Sequence, residues 1–232
     1  MPDLVPRIAA LIPAYREEAA IGKVVAGVRR HLGLVLVVDD GSPDATAVQA
    51  RAAGAEVIVH QRNSGKGAAL KTGLRTLESQ GVDYFLVLDA DGQHDPDDIP
   101  RFLEAVSDPE IAVFCGNRME DLTTMPVVRR WTNQFMSWCI SRACGQRIPD
   151  SQCGFRMYRR DCLVHLLCQT DHFDYETETL LLIARAGLKI AAVPVKTIYG
   201  EEKSKIHPIR DTLRFFKLMR RYKKSHRPGS RI

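Results

Sequence analysis

Two carboxylates one residue apart, Asp89 and Asp91, close the apolar run Phe85, Leu86, Val87, Leu88 in the stretch FLVLDADGQHDP, and the amide of Gln93 follows two positions later. Hard oxygen donors of this kind suit Mg²⁺ or Mn²⁺, cations that keep several waters and complete their shell with substrate phosphates. The apolar run reads as a buried strand and Asp95-Pro96 as a helix start. In an open α/β sheet, ligands sit outside the carboxyl ends of the strands. The stretch therefore has the chemistry of a site for a metal-bound diphosphate. It also reads as a strand followed by an acidic helix N-terminus, in which Asp95, Asp97 and Asp98 only cap the helix and complement its dipole. The stretch alone leaves both readings open.

A second candidate is the loop Arg62-Asn63-Ser64-Gly65-Lys66-Gly67. A glycine-rich turn that opens a helix and carries a lysine can contact phosphate, because backbone N–H groups and the helix dipole favour anions there. It is not a P-loop, since G-x-x-x-x-G-K-[ST] is absent. A glycine-eased helix entry reads equally well.

The elements that must position these groups alternate along the first half. RIAALIPAY (7–15) reads as a strand running into a turn, followed by a helix with Ile21, Val25, Val28 and Leu32 on one face. LVLVV (34–38) reads as a buried strand ending in Asp39-Asp40-Gly41-Ser42-Pro43-Asp44, and EVIVH (56–60) as a third. A helix with Leu70, Leu74 and Leu77 inward precedes the central strand, and one with Ile99, Phe102, Leu103 and Val106 follows it, before the strand IAVFCG (111–116). Alternating β and α argues a mostly parallel sheet covered on both faces. Three strands of this half end in acidic or polar turns, and convergence at one sheet edge would make them one site.

The second half is less regular. A helix over about 126–144 carries Val128, Trp131, Phe135 and Trp138 on one side, expected to face the core in preference to forming a lipid groove, with Arg129, Arg130, Asn133 and Ser137 toward others. DSQCGFRMYRR (150–160) reads as a loop and strand, 174–187 as a buried helix, and KIAAVPV (189–195) as a last strand.

At 232 residues the chain accommodates one α/β domain with a terminal extension. Its longest apolar runs fall far short of the roughly 20 residues of a membrane span, and the N-terminal stretch lacks signal-peptide features, so a cytoplasmic location is expected. Six cysteines without CxxC or His-paired spacing argue reduced, mostly buried thiols. The net charge of +5 is uneven: residues 203–232 hold eleven Lys/Arg against one Asp. There Ile209, Leu213, Phe216 and Met219 line one helical side and Arg210, Arg214, Lys217, Arg221 and Lys224 another. A basic amphipathic helix of this pattern suits an anionic membrane surface, or packs on its own domain with a solvated basic face. Nucleic acid is not an expected partner, since the aromatics are not interleaved with the charges.

The runs IPAYREE, VVDDGSPD, RNSGKGAALKTG and DADGQH, in that order, resemble the inverting family-2 glycosyltransferases of GT-A fold, and most of all the dolichyl-phosphate mannose synthase group. The resemblance spans about residues 7–210. It implies a Rossmann-like GT-A domain over 1–202, divided into a nucleotide-sugar half (1–117) and a smaller acceptor half (118–202), with a basic acceptor loop and amphipathic helix over 203–232. It also implies site roles. Pro13, Tyr15, Glu17 and Asp40 match donor-binding positions, with Asp40 on the base, and Lys66 matches a lysine near the diphosphate. Asp89, Asp91 and Gln93 match the metal set, with Ala90 against the donor. Arg118, Arg129 and Asn133 match acceptor-phosphate positions, with Arg118 also placed among the catalytic residues, and Lys203 and Lys205 lie in the corresponding acceptor loop.

The implied reaction is metal-dependent, inverting transfer of a hexose from a GDP-mannose or UDP-glucose type donor to a polyprenyl phosphate. The chain would sit peripherally on the cytoplasmic face of the membrane, since the transmembrane segments of some relatives have no counterpart here. A hydroxyl acceptor would instead need a carboxylate base, for which Asp174, Glu176 and Glu178 are the candidates. A nucleotidyltransferase would show a glycine-rich, arginine-containing loop after the first strand, which IPAYREE is not. A silent binding module fits poorly with an intact Asp89-Ala90-Asp91 set. Donor base and sugar, lipid length, and whether the chain forms an oligomer are left open.

Overall fold

The structure is a computed structural model and describes residues 6–120, 125, 127–168, 175–198, 215, 217–220 and 222. Strands covered on both faces need apolar residues at nearly every position. This is why β1 (Ile8–Ala14), β2 (Leu34–Asp39) and β4 (Tyr84–Val87) are continuous apolar runs, buried almost throughout. Successive side chains part to opposite faces. Ala9, Leu11, Leu36, Val38, Phe85 and Val87 join one buried cluster, whereas Ala10, Ile12, Val35, Val37 and Leu86 join another.

The first cluster is closed by α3 (Lys66–Ser79), α5 (Val127–Cys144), α6 (Leu163–Leu166) and α7 (Tyr175–Arg185), through Leu70, Leu74, Leu77, Ile140, Leu163 and Leu180. The second is closed by α1 (Ile21–Arg29), α2 (Thr46–Ala52) and α4 (Ile99–Ala105), through Val25, Val28, Ala50, Ile99 and Phe102. Helices on both faces of one sheet are the layered solution that alternating β and α elements call for.

With β3 (Glu56–Val59), β5 (Ile111–Asn117), β6 (Arg156–Arg159) and β7 (Lys189–Pro194), the strands form one seven-stranded sheet in the order β3-β2-β1-β4-β6-β5-β7. Every pairing is parallel except the two made by β6, which runs against β4 and β5. Because β6 is reversed, its first residue, Arg156, pairs with the last of β4, Val87. The loop DSQCGF is thereby delivered to the edge where β1, β2 and β4 end. The chain winds from β1 out to β3 and returns to β4 on the other side of β1, so this edge contains the topological switch point at which α/β sheets bind ligands.

One expectation is corrected. The side of α5 carrying Val128, Trp131, Phe135 and Trp138 is not core but exposed, and the residues α5 buries are Asn133, Ser137 and Ile140. Asp150 and Ser151 lie buried beneath the helix, where Asn133 donates to Asp150 and Ser137 accepts from the Ser151 backbone N, so the polar side must turn inward. In the tail, Phe215 and Leu218 are buried and Met219 packs on the same cluster, while Tyr222 donates from its hydroxyl to the Leu181 carbonyl at 2.9 Å. The described part of the tail thus turns its apolar side to protein and presents Lys217 and Arg220 outward. The expected boundary at 202/203, Lys203, Lys205 and Asp174 lie outside the described residues.

α3 approaches β1 most closely at Gly73, where a Cβ would stand 2.2 Å from Leu11 Cδ1 and 3.1 Å from Val38 Cγ2. Alanine gains about 1 kcal/mol of helix propensity over glycine, whereas overpacking a tight core costs about 1–3 kcal/mol. Gly73→Ala is expected to lower stability by up to about 2 kcal/mol net in urea unfolding, with the slope unchanged.

Candidate active site

The carboxyl edge is assembled loop by loop. β1 runs into Tyr15-Arg16-Glu17, where Arg16 adopts φ 57°. A non-glycine residue in this left-handed region is strained by about 1 kcal/mol. The loop is held by Ser42, whose hydroxyl accepts from Arg16 N at 2.9 Å, and by Thr46, which accepts from Glu17 N at 2.9 Å. The loops after β1 and β2 are thus one unit. Gly41, at φ 73°, lies so close to the Arg62-Asn63 backbone that a Cβ would stand 2.7 Å from it. The turn after β2 therefore packs directly on the RNSGKG loop.

Asp40 ties the two together. Its buried carboxylate accepts from Ser64 N at 3.0 Å and Gly65 N at 2.7 Å, and pairs with His60 Nδ1 at 2.7 Å, while His60 Nε2 reaches Thr72 Oγ1 at 3.0 Å. The residue expected on the nucleobase has its carboxylate turned into the loop, where it holds the entry to α3. That entry places Lys66 as the first residue of the helix.

Lys66 Nζ lies 2.6 Å from Asp89 Oδ1 and 2.6 Å from Glu176 Oε1. Burial alone would lower the Lys66 ammonium, but Asp89 and Glu176 raise it well above its ordinary value. Burial would likewise raise Asp89. Lys66 first and His94 next outweigh it and hold the carboxyl well below the usual range. His94 Nε2 stands 3.5 Å from Asp89 Oδ2, its buried ring against Phe155 with centroids 5.3 Å apart. The β6 loop closes over this group at Gly154, where a Cβ would meet Asp89 Oδ2 at 2.6 Å and Lys66 Nζ at 3.3 Å. Only glycine allows that approach.

Asp91 Oδ1 accepts from Gln93 N at 3.0 Å, and Asp95 caps the short turn Pro96–Asp98 by accepting from Asp97 N at 3.0 Å. Capping therefore accounts for Asp95 and not for Asp89 or Asp91. Among the described residues no three His, Cys, Asp or Glu side chains converge as a complete metal cage. An incomplete oxygen set at the open edge of a sheet is what Mg²⁺ or Mn²⁺ uses when substrate phosphates complete its shell. Asp89, Asp91 and Gln93 fit that donor chemistry.

The part of the chain after β5 is built around a group that sequence reasoning did not single out, Asp150. Arg118 donates to it from Nε at 2.7 Å, Nη2 at 3.0 Å and its backbone N at 3.2 Å, and Asn133 donates from Nδ2 at 2.9 Å. Burial would raise Asp150, yet these bonds hold it below its ordinary value. Arg118 and Asn133 are thus brought together, but inside the protein, with two guanidinium nitrogens committed to a carboxylate. Arg129 is half-buried on the same helix. Arg156, another unanticipated residue, is fully buried and donates to the carbonyls of Ser151 at 2.7 Å, Cys153 at 2.8 Å and Glu176 at 2.8 Å. It fastens the β6 loop to the start of α7 and so sets where Glu176 stands. A local clue existed only in the polar cluster DSQCGFR. The Cys144, Cys153 and Cys162 thiols are pushed up to about 12 by burial and are not poised as nucleophiles.

A family model, glycosyl transferase family 2, matches residues 9–167, which take in all of this edge as far as α6. The chain belongs to that family. The relatives of this family-2 glycosyltransferase include the UDP-N-acetylglucosamine–dolichyl-phosphate N-acetylglucosaminyltransferase of Methanococcus voltae, 32% identical over 82% of this chain and 85% of the relative. They also include the undecaprenyl-phosphate mannosyltransferase of Micrococcus luteus, 28% identical over 84% of this chain and 85% of the relative. Among solved structures, glucosyl-3-phosphoglycerate synthase from Mycobacterium tuberculosis in complex with UDP superposes with a TM-score of 0.71, covering 98% of this chain and 83% of that one at 19% identity. At that identity the likeness speaks for the fold alone, and the fold is GT-A.

Removing one partner from a buried ion pair costs about 3–5 kcal/mol, while replacing both with apolar residues is often neutral. Asp150→Ala in this glycosyltransferase is expected to lose about that much in urea unfolding, and Arg118→Met/Asp150→Leu to recover most of it. Equal losses in both variants would contradict the pairing.

Proposed function

We propose that this glycosyltransferase moves a hexose from a nucleoside-diphosphate sugar to a polyprenyl phosphate on the cytoplasmic face of a membrane, in one displacement that inverts the anomeric carbon. The relatives named for dolichyl-phosphate and undecaprenyl-phosphate acceptors support the acceptor class. A divalent cation held by Asp89, Asp91 and Gln93 would neutralise the diphosphate as it leaves. Lys66 adds a second positive charge beside Asp89, at a helix N-terminus whose dipole also favours anions. Tyr15, Glu17 and the Asp40-held loop flank the nucleoside, and Pro13 and Ala90 shape the floor at the ends of β1 and β4.

The observation that carries the acceptor assignment is the state of Glu176. It is the described residue best placed to act as base for a hydroxyl acceptor, and it is bound to Lys66 at 2.6 Å. Its Oε1 is occupied by that ammonium and is not open to a hydroxyl of the acceptor. A phosphate monoester needs no base, because its second pKa of about 6 makes it a dianion at neutral pH. Arg129 and the loop with Lys203 and Lys205 would meet that dianion, and Arg118 would act through Asp150 and Asn133 by fixing the wall beside it.

The test is transfer of labelled sugar from GDP-mannose, UDP-glucose and UDP-N-acetylglucosamine to a short polyprenyl phosphate, with Mg²⁺ or Mn²⁺ and with EDTA. One donor is expected to yield a glycolipid, EDTA to abolish it, and Asp91→Ala to lower the rate at least about 10²–10³-fold. Metal-dependent release of nucleotide without labelled lipid would overturn the acceptor assignment.

A further inference from the structure

The exposed side of α5 is what the site leaves unexplained. Val128, Trp131, Phe135 and Trp138 follow one another at steps of three, four and three residues, which places them on one helical stripe. They are 79%, 70%, 51% and 61% exposed, and the rings of Phe135 and Trp138 lie side by side with centroids 6.4 Å apart. Single exposed apolar residues are ordinary, whereas a contiguous aromatic stripe marks an interaction surface. The helix cannot bury it by rolling, because Asn133 and Ser137 on the opposite side are fixed to Asp150 and Ser151.

We propose that this stripe is a membrane-docking face, seated at the headgroup and acyl boundary of an anionic bilayer. Tryptophan is the side chain most characteristic of that boundary. From Val127 to Arg147 the sequence holds four arginines, at 129, 130, 142 and 147, and no Asp or Glu. Apolar insertion flanked by positive charge is what an anionic surface selects. A second copy is the wrong occupant, since a two-fold contact would set these arginines against their own copies with no carboxylate to meet them. The described C-terminal residues do not compete for the role, because Phe215 and Leu218 are already packed on protein. The docking face replaces the tail as the apolar anchor and leaves the tail a charge contribution. Its purpose rests on the polyprenyl-phosphate assignment, since the inward side of the same helix borders the acceptor half.

The chain contains two tryptophans, and both are on the stripe, so intrinsic fluorescence reports this face alone. The full chain is mixed with phosphatidylcholine vesicles, with and without phosphatidylglycerol, and with vesicles of brominated acyl chains. Anionic vesicles are expected to shift the emission to shorter wavelength, and brominated chains to quench it. Val128→Glu/Phe135→Glu, which keeps both reporters, is expected to bind vesicles at least about tenfold more weakly while transferring sugar to a water-soluble short-chain acceptor within about twofold of the parent. Emission that stays unchanged while the chain sediments with vesicles would overturn the proposal, as would a shift that depends on protein concentration without lipid. Transfer without an emission shift removes the docking face and leaves the acceptor assignment standing. An emission shift without transfer removes the acceptor assignment and supports the docking face.

Discussion

The ammonium of Lys66, 2.6 Å from both Asp89 and Glu176, is the contact on which the site depends. Without it two carboxylates from different parts of the chain would face each other at no more than the two 2.6 Å contacts laid end to end, in a partly desolvated crevice, a repulsion of at least about 3 kcal/mol at an effective dielectric constant near 20. Each of the three groups is placed by a separate device. Asp89 is carried on the end of a strand buried on both faces, Lys66 is set by the loop that Asp40 gathers, and Glu176 is set by the Arg156 clamp. The first part of the chain, through Lys66 and Asp89, and the second, through Glu176, are thus joined by charge at this edge of the sheet.

The part of the chain after β5 follows a different rule. Its centre is a fully buried carboxylate, Asp150, and everything near it is arranged so that its lone pairs are met. Arg118, Asn133, Gln152 and the Ser137–Ser151 pair form that arrangement, and α5 takes its orientation from it. One consequence is a helix that looks inside out, with polar residues inward and tryptophans outward. Satisfying a buried charge outweighed burying four apolar side chains, in keeping with the size of the penalty for leaving such a charge unpaired.

These two rules explain what could be read in advance. β1, β2 and β4 were legible because strands covered on both faces are continuous apolar runs, and the placement of Asp89 and Asp91 after a strand and of Lys66 at a helix start was legible because strand ends and helix starts are local events. The reversal of β6 was not, since periodicity marks a strand but not its direction. Neither were Asp150 and Arg156, whose roles depend on partners as far as 32 residues away in the chain. The amphipathic reading of α5 assumed that apolar residues face the core, and it failed because the buried layer beneath is polar. The position of Asp40 after β2 was legible, but the loop it holds could be seen only in three dimensions.

The central claim is that the acceptor supplies its own negative charge and Glu176 only positions Lys66. The most direct measurement is the pH dependence of kcat/KM for transfer to polyprenyl phosphate, in the parent and in Glu176→Gln. The account predicts that both profiles keep one acidic limb near pH 6, set by the acceptor phosphate, with Glu176→Gln slower by about tenfold to a hundredfold at every pH. Loss of that limb in Glu176→Gln, with a rate falling by about 10⁴-fold, would make Glu176 the base and contradict the account.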